Sequence, residues 1–190
     1  MATPNPQNIL RVAGVLVANP TNLALDPPHG GVELGITRGL IFRTGIKSTQ
    51  VTAEELGGTT VESYYTGENV VFSAILREFD PDAIVDIFPN ASVGSSGDPT
   101  IRYQPDGVHQ SRPGMRLSGK ALKLLFVPKA DESHPYVLIY KALPAVEETA
   151  EIKLSFADEI GIPVMFIGIP DDAASRKVYE VGRKEDISLT

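Results

Sequence analysis

Short apolar runs alternate with polar residues along this chain, and Gly, Pro, Asn and Asp separate the runs. The clearest case is 69–77, in which every second side chain is apolar. Because side chains two positions apart share one face of a strand, this alternation predicts a strand with one fully apolar face. We expect that face to lie on the core. Its side chains are Val70, Phe72, Ala74 and Leu76.

Runs of the same kind predict further strands, each bounded by residues that favour turns. The segment 19–31 contains three prolines and two glycines, so we expect a loop there. The sequence Thr-Gly-Glu-Asn over 66–69 predicts a turn. A turn or a single helical turn is expected over 171–174. The further strands are expected over 9–17, 32–37, 39–44, 121–127, 136–142, 149–156, 163–169 and 177–182, with a weaker alternation over 59–65.

One short helix is predicted directly after the strand 69–77. Asp80 is a good N-cap because its carboxylate can accept a bond from an unpaired backbone N–H, and Pro81 suits the first helical position. Ile87 and Phe88 follow Ile84 by three and four positions, which places all three on one apolar stripe. A helix of about two turns is stable only when it packs on other elements, so we expect it to lie against a sheet.

The predicted elements favour a mainly β fold, a sandwich or barrel of about seven to nine strands with one short helix. The 190 residues suit a single domain spanning 1–190. Within it we expect a polar N-terminal arm over 1–8. We also expect an irregular loop over 90–119, where Gly, Ser, Asp and Pro accumulate.

Composition and charge narrow the possible functions. The chain has no cysteine, which excludes a disulfide framework, thiol catalysis and cysteine-rich zinc sites. The net charge of −7 gives no basic surface for nucleic acid. No apolar stretch approaches the ~20 residues that span a bilayer, so we expect no membrane segment. The polar start of the chain lacks the features of a signal peptide, which favours synthesis in the cytoplasm.

The closest approach to a catalytic motif is GMRLSGKA over 114–121, which has the spacing of a phosphate-binding loop. Ala121 stands where a Ser or Thr would bind magnesium, and a strand rather than a helix is predicted to follow. His29, His109 and His134 share no spacing typical of metal ligands. Adjacent carboxylates such as those at 171–172 are expected to be solvated. The sequence therefore predicts no enzyme activity, no cofactor and no metal.

Several segments resemble the tail tube proteins of bacteriophages. The first is GGVELG over 30–35, and the second is YTGENVVFSAILREF over 65–79, followed by the predicted helix at 80–88. The third comprises GIPVMFIGIPD over 161–171 and VYEVG over 178–182. Together these segments cover about a quarter of the chain, in the order expected for that family.

This resemblance implies a virion structural protein, made in the host cytoplasm, that forms hexameric rings stacked into a tube. Open sheet edges, usually a hazard for a soluble protein, would then serve as the assembly surface. DNA would pass through the tube without specific binding, because an acidic channel repels phosphates. The implied partners are copies of the chain itself and other tail proteins such as sheath, terminator or baseplate proteins.

The resemblance also assigns 43–66 to the extended hairpin through which such subunits contact their neighbours. Its isolated apolar residues are the candidate interface side chains: Ile46, Val51, Leu56 and Val61. A different packing, against their own domain, is the alternative for these side chains. At the level of function, the alternatives are a neck, terminator or baseplate protein, a ligand-binding β-sandwich, and an enzyme.

Overall fold

Antiparallel strands dominate the computed structural model, which describes residues 14–35, 37–78, 80–88, 91–93, 97, 99–101, 116–129, 135–145 and 161–190. The single α-helix of these residues is α1 (Pro81–Ile87). Short 3₁₀ turns lie at Glu54–Leu56, Leu117–Lys120, Asp172–Ala174 and Lys184–Asp186. The strands are β1 (Gly14–Ala18), β2 (Val32–Glu33), β3 (Thr37–Ala53), β4 (Thr59–Leu76), β5 (Ala91–Val93), β6 (Pro99–Ile101), β7 (Leu122–Pro128), β8 (Tyr136–Ala145), β9 (Ile162–Gly168) and β10 (Tyr179–Gly182).

Eight of these strands form one antiparallel sheet in the order β2-β1-β7-β8-β9-β4-β3, with β10 paired to β8. The strands β9 and β10 share one edge of β8, where β10 pairs with its first half and β9 with its second. The prediction of a mainly β fold with one short helix is confirmed. The sheet is open, with β2 and β3 at its two ends, so the barrel alternative is wrong.

Strand β4 begins earlier than the sequence predicted. The buried face of Val70, Phe72, Ala74 and Leu76 is confirmed. The predicted turn over 66–69 is wrong, because the chain continues as strand there and stays paired with β3. A β-bulge between the pairs Lys47–Gly67 and Ser48–Tyr65 absorbs the turn-forming residues. Gly67, with a φ of 142°, supplies the backbone conformation that the bulge requires.

Helix α1 forms for the reasons that the sequence indicated. The Asp80 carboxylate accepts a hydrogen bond from the backbone N–H of Ala83 at 3.1 Å, so the predicted N-cap is confirmed. Ile84, Ile87 and Phe88 are all buried. They belong to one apolar cluster that also includes side chains from five strands of the main sheet: Leu16, Leu124, Ile139, Phe72 and Phe166.

A second apolar cluster covers the opposite face of β1, β7 and β8. The C-terminal segment contributes Ala174 and Ile187 to this cluster. These three strands are therefore buried on both faces, and that accounts for their nearly continuous apolar sequences. Among the described residues, none covers the second face of strands β3, β4 and β9 in this way.

Other predicted segments lie wholly or partly outside the described residues. The arm 1–8 and the strand 149–156 are wholly outside, and so is the first part of the strand 9–17. Within the predicted loop 90–119, β5 and β6 pair as a short two-stranded sheet, and residues 102–115 are outside the description.

Candidate functional site

The most prominent feature outside the core is the hairpin of β3 and β4. Strand β4 pairs with β9 only over 70–76, whereas its pairing with β3 continues to the tip. We call the part beyond β9, Gly45–Asn69, the ribbon. Nine residues of its first arm, at ~3.3 Å each, make it about 30 Å long. Gly57 and Gly58, both with positive φ, turn the chain at its tip.

The ribbon contributes almost nothing to the core. Every residue between 43 and 66 whose burial is described is exposed. Within the described part of the chain, each ribbon arm has only the other arm as a strand partner, so both outer edges carry unpaired backbone N–H and C=O groups. A long unprotected ribbon of this kind readily adds another strand.

The sequence-predicted interface residues lie on this ribbon. Ile46 is 74% exposed, Val61 is 51% exposed and Val51 is 42% exposed. Ile46 shares the face of the buried Val70 and continues it into solvent, whereas Val51 points to the opposite face. Leu56 is in the 3₁₀ turn at the tip, and its side chain is outside the described residues. The structure therefore does not bring the four residues onto one surface.

A larger apolar surface lies on the second face of β9, β4 and β3, which we call the outer face. Pairing places Ile41 beside Ser73, Ser73 beside Met165, and Val71 beside Ile167 on this face. A shallow groove of about 280 Å³ there is bordered by Arg43. The exposed apolar residues of the outer face are Ile41, Ile75 and Ile167. Val51 and Tyr64 continue this face along the ribbon.

Sequence reasoning missed most of the outer face. The alternation in β4 already placed Val71 and Ile75 on the face opposite the core. In sequence, a second apolar face of a strand predicts that another layer of structure buries it. No described residue provides that layer. The same apolar pattern fits a buried face and an exposed interaction surface, so sequence alone does not distinguish them.

The root of the ribbon is attached to the core through β10. The Tyr179 hydroxyl donates a hydrogen bond to Glu68 Oε2 at 2.8 Å, and the Tyr179 ring packs on Phe42 with 5.6 Å between centroids. The hydrogen bond to the Glu68 carboxylate is the main reason that the pKa of Tyr179 lies above its usual value.

A polar network attaches the C-terminal segment beside this root. Lys177 Nζ donates to Glu180 Oε1 at 2.8 Å, and the Tyr140 hydroxyl donates to the Ser188 carbonyl at 2.9 Å. Burial raises the pKa of the Glu180 carboxyl, but Lys177, Tyr140 and the Ser188 amide outweigh it, so the net pKa is lowered. The network holds strand β10 in place, and with it the root of the ribbon.

A cleft of about 460 Å³ lies at the other end of β3, lined by Glu33, Glu78, Asp80, Lys129 and neighbouring backbone. Among the described residues, no three His, Asp or Glu side chains are placed to hold a metal ion. The acids line an open surface depression that also contains a lysine, and this arrangement does not define a site.

The remaining candidate chemistry does not form a site in the described residues. His29 is 1% exposed, its Nδ1–H donates to the Leu25 carbonyl at 2.7 Å, and it organises the loop 19–31. His109 and His134 are outside the described residues. The described end of the segment 114–121 forms a 3₁₀ turn that leads into strand β7, without the helix that a phosphate-binding loop opens.

Comparison with known proteins gives no family. No protein-family model matches the sequence, and no curated protein matches it. Over the described residues, no helix has the length and apolar character needed to cross a membrane. The inference of function therefore rests on the ribbon, on the outer face and on their charges.

Proposed function

We propose that this chain is a structural subunit that assembles with copies of itself into rings and tubes, in the manner of a phage tail tube protein. The observation that carries the proposal is the ribbon: a strand pair about 30 Å long, exposed on both faces and unpaired along both edges of its described residues. A monomer gains nothing from such an element, because exposed edge strands promote aggregation.

The outer face supports the same proposal. Isolated exposed apolar side chains are normal, whereas a contiguous apolar surface usually marks an interaction site. Here Ile41, Ile75 and Ile167 lie on adjacent strands and are 38% to 42% exposed. Burying this face and the ribbon between copies would remove both from water.

The proposal assigns the chain no chemical step. The ribbon and the outer face mediate association between copies, and α1 stabilises the sheet by packing on it. The net charge of −7 per copy favours a channel that repels DNA phosphates. Duplex DNA should then bind no better than it binds an unrelated acidic protein. A micromolar affinity at physiological salt would contradict the proposed channel.

Negative-stain electron microscopy of the purified chain, combined with analytical ultracentrifugation, tests the assembly directly. We expect long hollow polymers built from stacked rings. Single closed rings would instead support a neck or terminator subunit. A monomer that persists at high protein concentration, with its ribbon edges open, would refute self-assembly.

A further inference from the structure

The two edges of the ribbon differ in charge, although the chain as a whole is acidic. Strand β3 carries Arg38, Arg43 and Lys47 and has no acidic residue. Strand β4 carries Glu62 and Glu68 and has no basic residue. The open β3 edge is therefore basic, with Lys47 on the ribbon and Arg38 and Arg43 before its root, whereas the open β4 edge of the ribbon is acidic.

Two of these charges, Lys47 and Glu62, are available for ion pairs between copies, although Glu62 Oε1 already accepts a hydrogen bond from the backbone N–H of Ser63 at 2.9 Å. Lys47 pairs with Gly67 in the ladder and Glu62 pairs with Val51. Both side chains lie on the outer face, because Lys47 and Val51 are four positions apart on the same strand. Their ladder positions are therefore about 13 Å apart within one ribbon. Neither side chain forms an ion pair with another described residue.

We infer that the basic β3 edge of one copy pairs with the acidic β4 edge of the next copy, which is shifted by four residues, about 13 Å, along the ribbon so that Lys47 lies near the neighbour's Glu62. This inference rests on the proposed function and specifies the orientation of association. Ribbons that project in the same direction place β3 beside the neighbour's β4 as antiparallel strands, the geometry already present within each ribbon.

The competing arrangement pairs like edges across a two-fold axis. Two β3 edges would then bring Arg43 and Lys47 of both copies together, and like charges on adjacent strands are unfavourable. Two β4 edges would do the same with Glu62. Pairing of unlike edges is head-to-tail. A row of associated copies therefore ends with an unpaired basic edge on one side and an unpaired acidic edge on the other, and both edges are paired only when the row closes into a ring.

Charge reversal separates the two arrangements. The variant Lys47→Glu places a carboxylate beside the neighbour's Glu62, and Glu62→Lys places an ammonium group beside the neighbour's Lys47. We expect each variant alone to raise the critical concentration for assembly at least tenfold at low salt. An equimolar mixture should assemble nearly as well as wild type, because the two variants can alternate. The double variant Lys47→Glu/Glu62→Lys should also assemble alone.

The outcomes are distinguishable by light scattering and electron microscopy, with circular dichroism and thermal melting to show that each variant is folded. Normal assembly of both single variants, or failure of the mixture to recover, overturns the inference and leaves the proposed function standing. If adding wild-type protein is enough to restore assembly of Lys47→Glu, the result would support pairing of like β3 edges. That outcome also overturns the inference. A wild type that never associates overturns the proposed function and this inference together.

A zero-length carbodiimide cross-link in the wild-type protein provides a second measurement. We expect mass spectrometry to find the amide between Lys47 and Glu62 in oligomers formed from isotopically labelled and unlabelled copies, with the two peptides carrying different labels. Cross-links that join these residues only within one copy would contradict the inference.

Discussion

The Tyr179 hydroxyl and the Glu68 carboxylate, 111 positions apart in sequence, form the hydrogen bond that attaches the root of the ribbon to β10. Glu68 lies two positions from Val70, where the pairing of β4 with β9 ends. This bond therefore attaches the ribbon to β10 close to the point where pairing with β9 ends.

Removing the attachment should loosen the ribbon and leave the core intact. We expect Tyr179→Phe to accelerate hydrogen exchange in the peptide that covers 59–69, since the aromatic packing on Phe42 remains and only the bond to Glu68 is lost. The melting temperature should fall by no more than a few degrees. Hydrogen exchange detected by mass spectrometry checks this, and unchanged exchange over 59–69 would show that the bond does not hold the ribbon.

The N-cap of α1 allows the loss of stability on its removal to be predicted. Asp80→Ala should lower the free energy of unfolding by about 1 kcal/mol, because the N–H of Ala83 loses its acceptor. Asp80→Asn keeps a capping oxygen and should cost less. Urea denaturation of both variants measures the difference, and an equal loss would indicate that Asp80 acts through its charge rather than through the cap.

Local sequence predicts those parts of this fold that local contacts determine. Residues within a few positions of each other determine the alternation in β4. They also determine the N-cap, the first residue and the apolar stripe of α1. The structure confirms these features. The prediction of a turn over 66–69 is wrong because turn propensity is a weak preference. Pairing with β3 along the whole ribbon overrides it by means of a bulge.

The candidate surface depends on contacts between distant parts of the chain, which local patterns do not reveal. Sequence resemblance indicated the hairpin and the exposed residues Ile46, Val51 and Val61. It did not reveal the outer face, because Ile41, Ile75 and Ile167 belong to three strands that lie side by side only when β4 pairs with both β3 and β9. The order of strands in the sheet determines which of the two apolar faces of β4 is covered by another layer.

Adjacent residues of β9 should respond very differently to truncation. Phe166 is fully buried in the core cluster, so Phe166→Ala should lower the free energy of unfolding by about 3–5 kcal/mol. Ile167 points to the outer face, and Ile167→Ala should cost less than about 1 kcal/mol in the monomer. Chemical denaturation of the two variants tests the assignment of faces. Comparable losses would show that the outer face is covered within the monomer.

The network around Glu180 predicts a dependence of stability on acid. Its pKa is lower in the folded state than the ordinary value of 4.5, so its contribution is fully present above pH 4.5 and is lost as the pH falls through the lowered folded value. Glu180→Gln should therefore be less stable than wild type near neutral pH, by under about 1 kcal/mol, and the difference should shrink below pH 4.5.

Thermal melting between pH 3 and 7 measures that difference. Asp172→Asn is the matched control, because the Asp172–Arg176 pair is almost fully solvent-exposed and removing its charge should change the melting temperature little at any pH. If the two variants show the same pH profile, the network around Glu180 does not stabilise the C-terminal segment.

The proposed interface is tested by placing the same charge on and off the ribbon. Val51 is 42% exposed on the ribbon, and Val181 is 49% exposed on β10, away from the ribbon. We expect Val51→Asp to abolish assembly, because association would bury the new carboxylate without a partner. Leu56→Asp, at the ribbon tip, should act in the same direction. Val181→Asp should assemble normally, and both valine variants should melt within a few degrees of wild type. Sedimentation and electron microscopy measure assembly, and tubes formed equally well by all three variants would contradict a role for the ribbon in association.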